Sequence, residues 1–406
     1  MKLLGKSWKY INEGNAHIVV QILDTDYVIR LIKEDERTTD PKSVYDHVNF
    51  VNLIMIPLLG NKFYDKEEAI EMSQYDLEQL SKLLLPYRPK NRIFKSELSQ
   101  IAIKATNLSI VSTQCDTNFC IEIKPKEGFI SSSLRKYSTC YYCLKQHLKL
   151  QTGAIRLTSK YCPLDLFSGE RERMKLSLSN MINNAQNNFK IFKNGLLVYN
   201  EKSEQSDFDN ILKDMNYFSE LNQFLDFIID ILLSDINEPY IKLPKSSKIC
   251  TNDKPNQCYE SNNLNSNSFL YKLLQLQKMS DVYPFDMENE RNKHSNYVTK
   301  LIEQLTTLDL DLNKENDKET FIKTTNPIHL ALISAVAKDC SIMISFSTNF
   351  VENYPYVDTG NSKIFYKLAV TDLEPKSPNT LYKRKDTEKK MIEIYEKYKE
   401  SIEKEH

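Results

Sequence analysis

From Cys120 to Lys126 the chain reads Cys-Ile-Glu-Ile-Lys-Pro-Lys. Side chains alternate across an extended strand, so Glu122, Lys124 and Lys126 share one face while Ile121 and Ile123 share the other. The segment is expected to be a half-buried strand whose polar face sets two ammonium groups side by side. Such a pair repels itself unless an anion lies between, although a solvated face is the plainer reading of these residues alone. Further along come Tyr161-Cys-Pro-Leu-Asp-Leu-Phe-Ser-Gly169 and Gln186-Asn-Asn-Phe-Lys-Ile-Phe192, which give the lysines company.

A chain of 406 residues can bury a large core, and two lobes or domains are expected. The division is placed at about residue 122: an N-terminal lobe at 1–122 and a C-terminal lobe at 123–406, with a variable insertion at about 201–268. With 54 basic against 55 acidic side chains, the surface has no basic surplus to coat a nucleic acid. A local pocket for a small polyanion needs only a few lysines and stays open. The polar start Met-Lys-Leu-Leu-Gly-Lys-Ser is no signal peptide, and the apolar run Phe224–Leu233 is interrupted by Asp226 and Asp230. The expectation is a cytoplasmic or nuclear protein, without membrane or nucleic-acid partners and acting as a monomer. Its eight cysteines are then reduced thiols or metal ligands.

Residues 8–33 read as strands joined by turns at Glu13-Gly-Asn-Ala16 and Asp24-Thr-Asp26. A Glu-Gly-Asn turn could close over phosphates through backbone N–H groups, but one glycine fits an ordinary hairpin equally. Helical spacing runs through 43–60, 66–85, 134–150, 170–184 and 268–279. Strands are expected near 100–104, 108–114, 340–346 and 364–372. Residues 201–250 read as helical, 251–268 as an Asn- and Ser-rich mobile loop, and 383–406 as a charged helix.

Lys145 and Lys149 are four apart and share a helix face, which costs stability unless an anion is held there. Asn187, Asn188 and Lys190 add donors. Asp339 precedes an apolar strand and Asp372 ends another. Two acids at strand ends among lysines are the parts of a phosphotransferase, one acid orienting a hydroxyl and one holding Mg²⁺. Each alone could be a turn residue or helix cap. Cys140, Cys143 and His147 follow a C-x₂-C-x₃-H spacing and Cys162 comes soon after, a ligand set that suits a structural Zn²⁺. The alternative is a core stripe of small side chains. Cys250 and Cys258 flank a loop and read as incidental.

The ordered series Glu13-Gly-Asn-Ala-His, Glu122-Ile-Lys-Pro-Lys-Glu-Gly-Phe, Tyr161-Cys-Pro-Leu-Asp-Leu-Phe-Ser-Gly, Gln186-Asn-Asn-Phe-Lys-Ile-Phe and Ala337-Lys-Asp-Cys-Ser-Ile-Met-Ile resembles the inositol-pentakisphosphate 2-kinase family. The resemblance implies an α+β, two-lobed fold related to protein kinases, with ATP in the cleft between lobes. It implies transfer of the γ-phosphate to the 2-hydroxyl of inositol 1,3,4,5,6-pentakisphosphate, giving the hexakisphosphate. By the same resemblance, Gly14, Asn15 and Ala16 cover the ATP phosphates, Arg30 reaches them, and Glu122 lies near the ribose. Lys124, Lys126, Lys145, Lys149, Asn187, Lys190, Lys376 and Tyr382 hold the inositol phosphate, with Lys124 also catalytic. Asp339 acts on the 2-hydroxyl and Asp372 binds Mg²⁺. Plant members carry Arg in place of Lys190, His in place of Lys145, an arginine near Thr380, and a later Cys-Pro-x-Cys zinc motif that this chain lacks. Protein-kinase signatures such as His-Arg-Asp and Asp-Phe-Gly are absent, which argues against a protein substrate. The competing expectation is an inactive polyphosphate-binding scaffold of the same fold.

Overall fold

Strands β1 (Trp8–Glu13), β2 (His17–Ile22) and β3 (Tyr27–Lys33) form an antiparallel meander at the front of the chain. The first turn is closed by Gly14 N–H donating to His17 O at 2.9 Å. In the second, Asp24 takes the left-handed conformation (φ 60°). The computed structural model describes residues 5–34, 39–60, 65–94, 97–235, 240–242, 258–261, 263–280, 294–360 and 362–405.

Helix α1 (Pro41–Phe50) starts at the Asp40 cap and runs through a π turn into α2 (Ile56–Leu59), where Pro57 removes an N–H donor. The expected helix over 66–85 is a helix only in its later part. Glu68–Glu71 is strand β4, which pairs with β5 (Leu98–Thr106), and α3 (Gln74–Leu84) follows under a Ser73 cap. The two strands expected at 100–104 and 108–114 are one strand, β5. Residues 107–118 turn instead, because Asn107 and Asn118 side chains accept the N–H groups of Ser109 and Val111 at 3.0 and 2.8 Å. The first sheet has the order β1-β2-β3-β5-β4. Ile18, Val20, Ile29 and Leu31 on one face pack against Leu77, Leu80 and Leu84 of α3.

The second sheet collects β6 (Phe119–Ile123), β7 (Phe189–Lys193), β8 (Leu196–Tyr199), β9 (Tyr240–Lys242), β10 (Ser341–Ser347), β11 (Tyr356–Asp358) and β12 (Lys363–Thr371). Its order is β8-β7-β6-β10-β12-β11-β9, antiparallel except where β9 meets β11. In β10, Ile342, Ile344 and Phe346 join the main core with Ile121, Ile123 and Phe227, while Ser341, Met343 and Ser345 take the other side.

That core is built by α4 (Tyr141–Gln151), α5 (Pro163–Leu166), α6 (Arg171–Asn183), α7 (Gln205–Met215), α8 (Leu221–Leu233), α9 (Phe269–Lys278), α10 (Tyr297–Thr307), α11 (Glu315–Thr324), α12 (Pro327–Ala337) and α13 (Asn379–Glu405). The expected helix at 134–150 is broken: a 3₁₀ stretch ends at left-handed Ser138, and α4 starts again with the Cys140 sulfur accepting Cys143 N–H at 3.5 Å. Residues 251–257 and 262 of the expected mobile loop lie outside the described residues. Its described part is tied down, with Ser261 and Asn263 side chains donating to Glu170 at 2.8 and 3.3 Å. Among the described residues no helix is long and apolar enough to cross a membrane.

Candidate active site

The two sheets face each other across a cleft of about 490 Å³. Val19, Val28 and Ala105 line it from the first sheet, and Phe192 and Met343 from the second. The Gly14 turn overhangs it, with Asn15 and Ala16 exposed beside it. Sequence reading missed what fixes this turn. Glu13 is buried and accepts both Lys33 (2.7 Å) and a two-pronged Arg88 (2.9 and 2.8 Å), and Lys33 also donates to Gly14 O at 2.7 Å. Burial pushes the Glu13 carboxyl up, but the bonds from Arg88 and Lys33 outweigh it and hold the group below its ordinary value. Arg30 enters the same cleft from β3 and pairs with Glu67 and Glu374.

Strand pairing sets Glu122 of β6 beside Lys190 of β7 and Met343 of β10. Glu122 accepts Lys190 at 2.9 Å and the Ser341 hydroxyl at 3.1 Å. Ser341 also lies 3.1 Å from Asp372, which accepts Lys124 at 2.8 Å. Glu122, Ser341, Asp372 and Lys124 thus make one polar network. Asp372 is left-handed (φ 63°), a strained conformation for a residue with a Cβ and one common at functional positions. The sequence signal for Ser341 was its place in the β10 alternation, opposite the apolar face.

Asp339 follows α12 and is held from both sides, by Lys126 at 3.1 Å and Lys376 at 3.0 Å. Partial burial raises its carboxyl, but the two ammonium groups prevail and hold it at about 2. Lys126 is itself left-handed (φ 58°). Lys145 and Lys149 lie on α4 nearby. Burial lowers both, and repulsion from Lys126 lowers both further. Lys145 is also repelled by Arg384, while Lys149 is repelled by Lys145 and donates to Gln186 at 3.0 Å. This cluster carries more positive charge than it can comfortably hold alone.

Three positions assigned to the inositol phosphate are not brought into the cluster, Lys190 being held by Glu122 in the cleft. Tyr382 is buried in the core, and Asn187 is exposed while its neighbour Asn188 turns inward to the Tyr142 hydroxyl at 2.9 Å. Arg384, two residues on from Tyr382, was missed. It pairs with Glu127 and lies 3.8 Å over the Tyr141 ring. The expected helix started at 383, whereas α13 begins at Asn379, so Arg384 lies in its second turn.

The sulfurs of Cys140, Cys143, Cys162 and Cys258 all lie within 4.8 Å of one another, with Cys162 and Cys258 at 3.7 Å. This corrects the expected ligand set. His147 does not join it, because its ring lies tilted against those of Tyr395 and Tyr398 of α13, with centroids at 5.4 and 4.8 Å. Cys258 takes its place, brought in from beyond the 201–250 stretch. Hydrogen bonds from Cys140, Cys143 and Cys162 draw the Cys258 thiol down. Cys250 lies outside the described residues.

A rigid glycine turn, two carboxylates at strand ends and a lysine cluster beside them are the parts of an enzyme of phosphoryl transfer to a small anion. A sequence model described as inositol-pentakisphosphate 2-kinase matches residues 10–390. The inositol-pentakisphosphate 2-kinase of Danio rerio is 28% identical over 97% of this chain and 94% of its own length. That of Oryza sativa subsp. indica is 27% identical over 85% and 77%, and that of Arabidopsis thaliana 25% over 94% and 84%. The chain belongs to the inositol-pentakisphosphate 2-kinase family.

Proposed function

We propose that the protein transfers the γ-phosphate of ATP to the 2-hydroxyl of inositol 1,3,4,5,6-pentakisphosphate, and that its two sheets belong to two kinase-like lobes with ATP between them, divided between β5 and β6 and not at residue 122, which lies within β6 of the second sheet. The observation that carries this is Asp339 set between Lys126 and Lys376, beside the charge-rich Lys145–Lys149 face. The apolar lining of Val19, Val28, Ala105 and Met343 suits an adenine, and the clamped Gly14 turn suits phosphates below it. Arg30, Lys124 and Lys190 supply cations along the same cleft.

Asp372 and its network fit Mg²⁺, because carboxylate oxygens are hard donors and the Lys124 ammonium already places a cation 2.8 Å from Asp372. Bound there, Mg²⁺ would offset phosphate charge and orient the transferring group. The other steps belong to side chains of the chain. The pentakisphosphate draws Lys126 and Lys376 onto its phosphates, so Asp339 loses the two partners that depress its basicity. It then accepts a hydrogen bond from the 2-hydroxyl and takes its proton as the oxygen attacks the γ-phosphorus and the bond to ADP breaks. Lys145, Lys149 and Arg384 hold the remaining phosphates. An inactive scaffold has no observation in its favour, since both carboxylates stand in the site.

The four thiols fit a structural zinc: sulfurs about 2.3 Å from a tetrahedral ion lie roughly 3.8 Å apart, close to the spacing of Cys162 and Cys258. Four protein ligands leave no open position, so zinc would pin the start of α4 to the segment before α5 and to Cys258.

Incubation of the protein with ATP, Mg²⁺ and the pentakisphosphate tests the proposal. Hexakisphosphate formed by wild type and not by Asp339→Asn supports it; equal product from both variants refutes the assignment of Asp339.

A further inference from the structure

Gln277 lies in the last turn of α9 and is wholly buried, on a helix whose Leu273, Leu274 and Leu276 are buried too. Its side-chain NH₂ donates to the Lys126 carbonyl at 2.8 Å and to the Ala337 carbonyl at 3.2 Å. Its carbonyl oxygen accepts the Gly128 N–H at 3.0 Å. One amide therefore ties two segments far apart in sequence. Lys126 and Gly128 belong to the segment after β6, and Ala337 is the last residue of α12, two before Asp339. A terminal helix carbonyl lacks a partner within its own helix, so Gln277 closes α12 from outside.

An apolar side chain of similar size would fill this space but would not fix either backbone. Fixing matters here because Lys126 is left-handed (φ 58°), a conformation that a residue with a Cβ keeps only when its surroundings hold it. Gly128 reinforces the constraint: a Cβ there would meet the Phe167 ring at 2.3 Å, so the segment lies pressed against α5's end. The Ser334 hydroxyl of α12 donates to the Gln277 backbone carbonyl at 2.6 Å, which couples the helices directly. On the far side of these ties stands the Lys126–Asp339 contact of 3.1 Å.

We propose that Gln277 is a positioning residue of the phosphoryl transfer: by bonding both backbones it fixes the spacing between the backbone that carries Lys126, which moves onto the acceptor's phosphates, and the end of α12 that carries Asp339, and so sets where the acceptor hydroxyl meets its base. The inference rests on the function proposed above. Gln277 touches neither substrate, and it acts through the two segments it joins.

The test compares wild type with Gln277→Glu, Gln277→Leu and Leu276→Ala. Gln277→Glu keeps an acceptor for Gly128 N–H and loses both donors, while Leu276→Ala loosens the core around the same helix and leaves the three side-chain bonds of Gln277 in place. Below all melting temperatures, both Gln277 variants should lose about 10–100-fold in kcat and gain in KM for the pentakisphosphate. Their KM for ATP should stay within about twofold of wild type. Leu276→Ala should melt lower yet keep its kcat. Wild-type kcat and acceptor KM in Gln277→Glu would overturn the proposal, as would a kcat loss in Leu276→Ala equal to that of the Gln277 variants. If the variants do not fold, hydrogen exchange on wild type decides. Slow exchange at Gly128 N–H supports the tie, and exchange at the rate of an open loop overturns it. Absence of 2-kinase activity in wild type would instead refute the proposed function.

Discussion

Asp339 is held between Lys126 and Lys376, and its behaviour follows from that contact. Its carboxyl titrates at about 2 in the folded chain, against about 3.9 for an unfolded aspartate. The sign is that of a depressed acid: the stabilising contribution is complete above about pH 4 and is lost as pH falls through about 2. Lys145 and Lys149 have the opposite character. Their folded values are lowered, so the chain resists protonating them, and a bound polyanion should reverse that. Binding of the pentakisphosphate in the alkaline range where lysines titrate should therefore take up protons, measured by calorimetry in two buffers of different ionisation heat. Lys145→Met should reduce the uptake. Proton release would contradict the pocket. Arg384→Ala should raise the acceptor KM with little change for ATP, whereas Tyr382→Phe, altered only at a core position, should leave both near wild type.

At the scale of elements, the cysteines give the sharpest prediction. Purified protein should contain about one equivalent of zinc by elemental analysis; Cys258→Ser should lose it and melt at lower temperature, whereas His147→Ala should retain it. Retention by the first and loss by the second would restore the ligand set expected from spacing. The sequence made three of the four clustered thiols legible because α4 and the turn before α5 are local, with Cys140 and Cys143 one helix turn apart. It hid Cys258 because that thiol comes from a distant loop, and contacts at long sequence separation leave no periodic trace. The same division holds elsewhere. The β1–β3 meander, β6, β10 and β12 were readable from alternation, and Asp339 and Asp372 from their places at strand ends. Strand β4 was not, since Glu-Ala-Ile-Glu fits helix spacing until β5 pairs with it. Nor was the Glu13–Lys33–Arg88 clamp, which joins three separate elements. Gly128→Ala should destabilise the fold by about 1–3 kcal/mol in a denaturant melt, because its Cβ would overlap Phe167 in a packed core.

For the whole molecule, a formal charge near zero coexists with a concentrated positive site, which suits attraction of a small polyanion without general nucleic-acid binding. Both sheets give the cleft apolar and charged lining: Val19, Val28, Ala105, Arg30 and the clamped turn from the first, and Phe192, Met343, Glu122 and Lys190 from the second, with Lys124 and Asp372 at its strand ends. Salt should weaken acceptor binding more than ATP binding, because Lys126, Lys145, Lys149 and Lys376 are the cations proposed to meet the acceptor. The most direct test of the account is the reaction itself, followed by phosphorus NMR of the inositol product formed from ATP, Mg²⁺ and inositol 1,3,4,5,6-pentakisphosphate. The account predicts a new phosphate on the 2-oxygen, with turnover about 10²–10⁴-fold lower in Asp339→Asn and nucleotide affinity near normal. No hexakisphosphate from the wild-type protein, or undiminished turnover in Asp339→Asn, would contradict it.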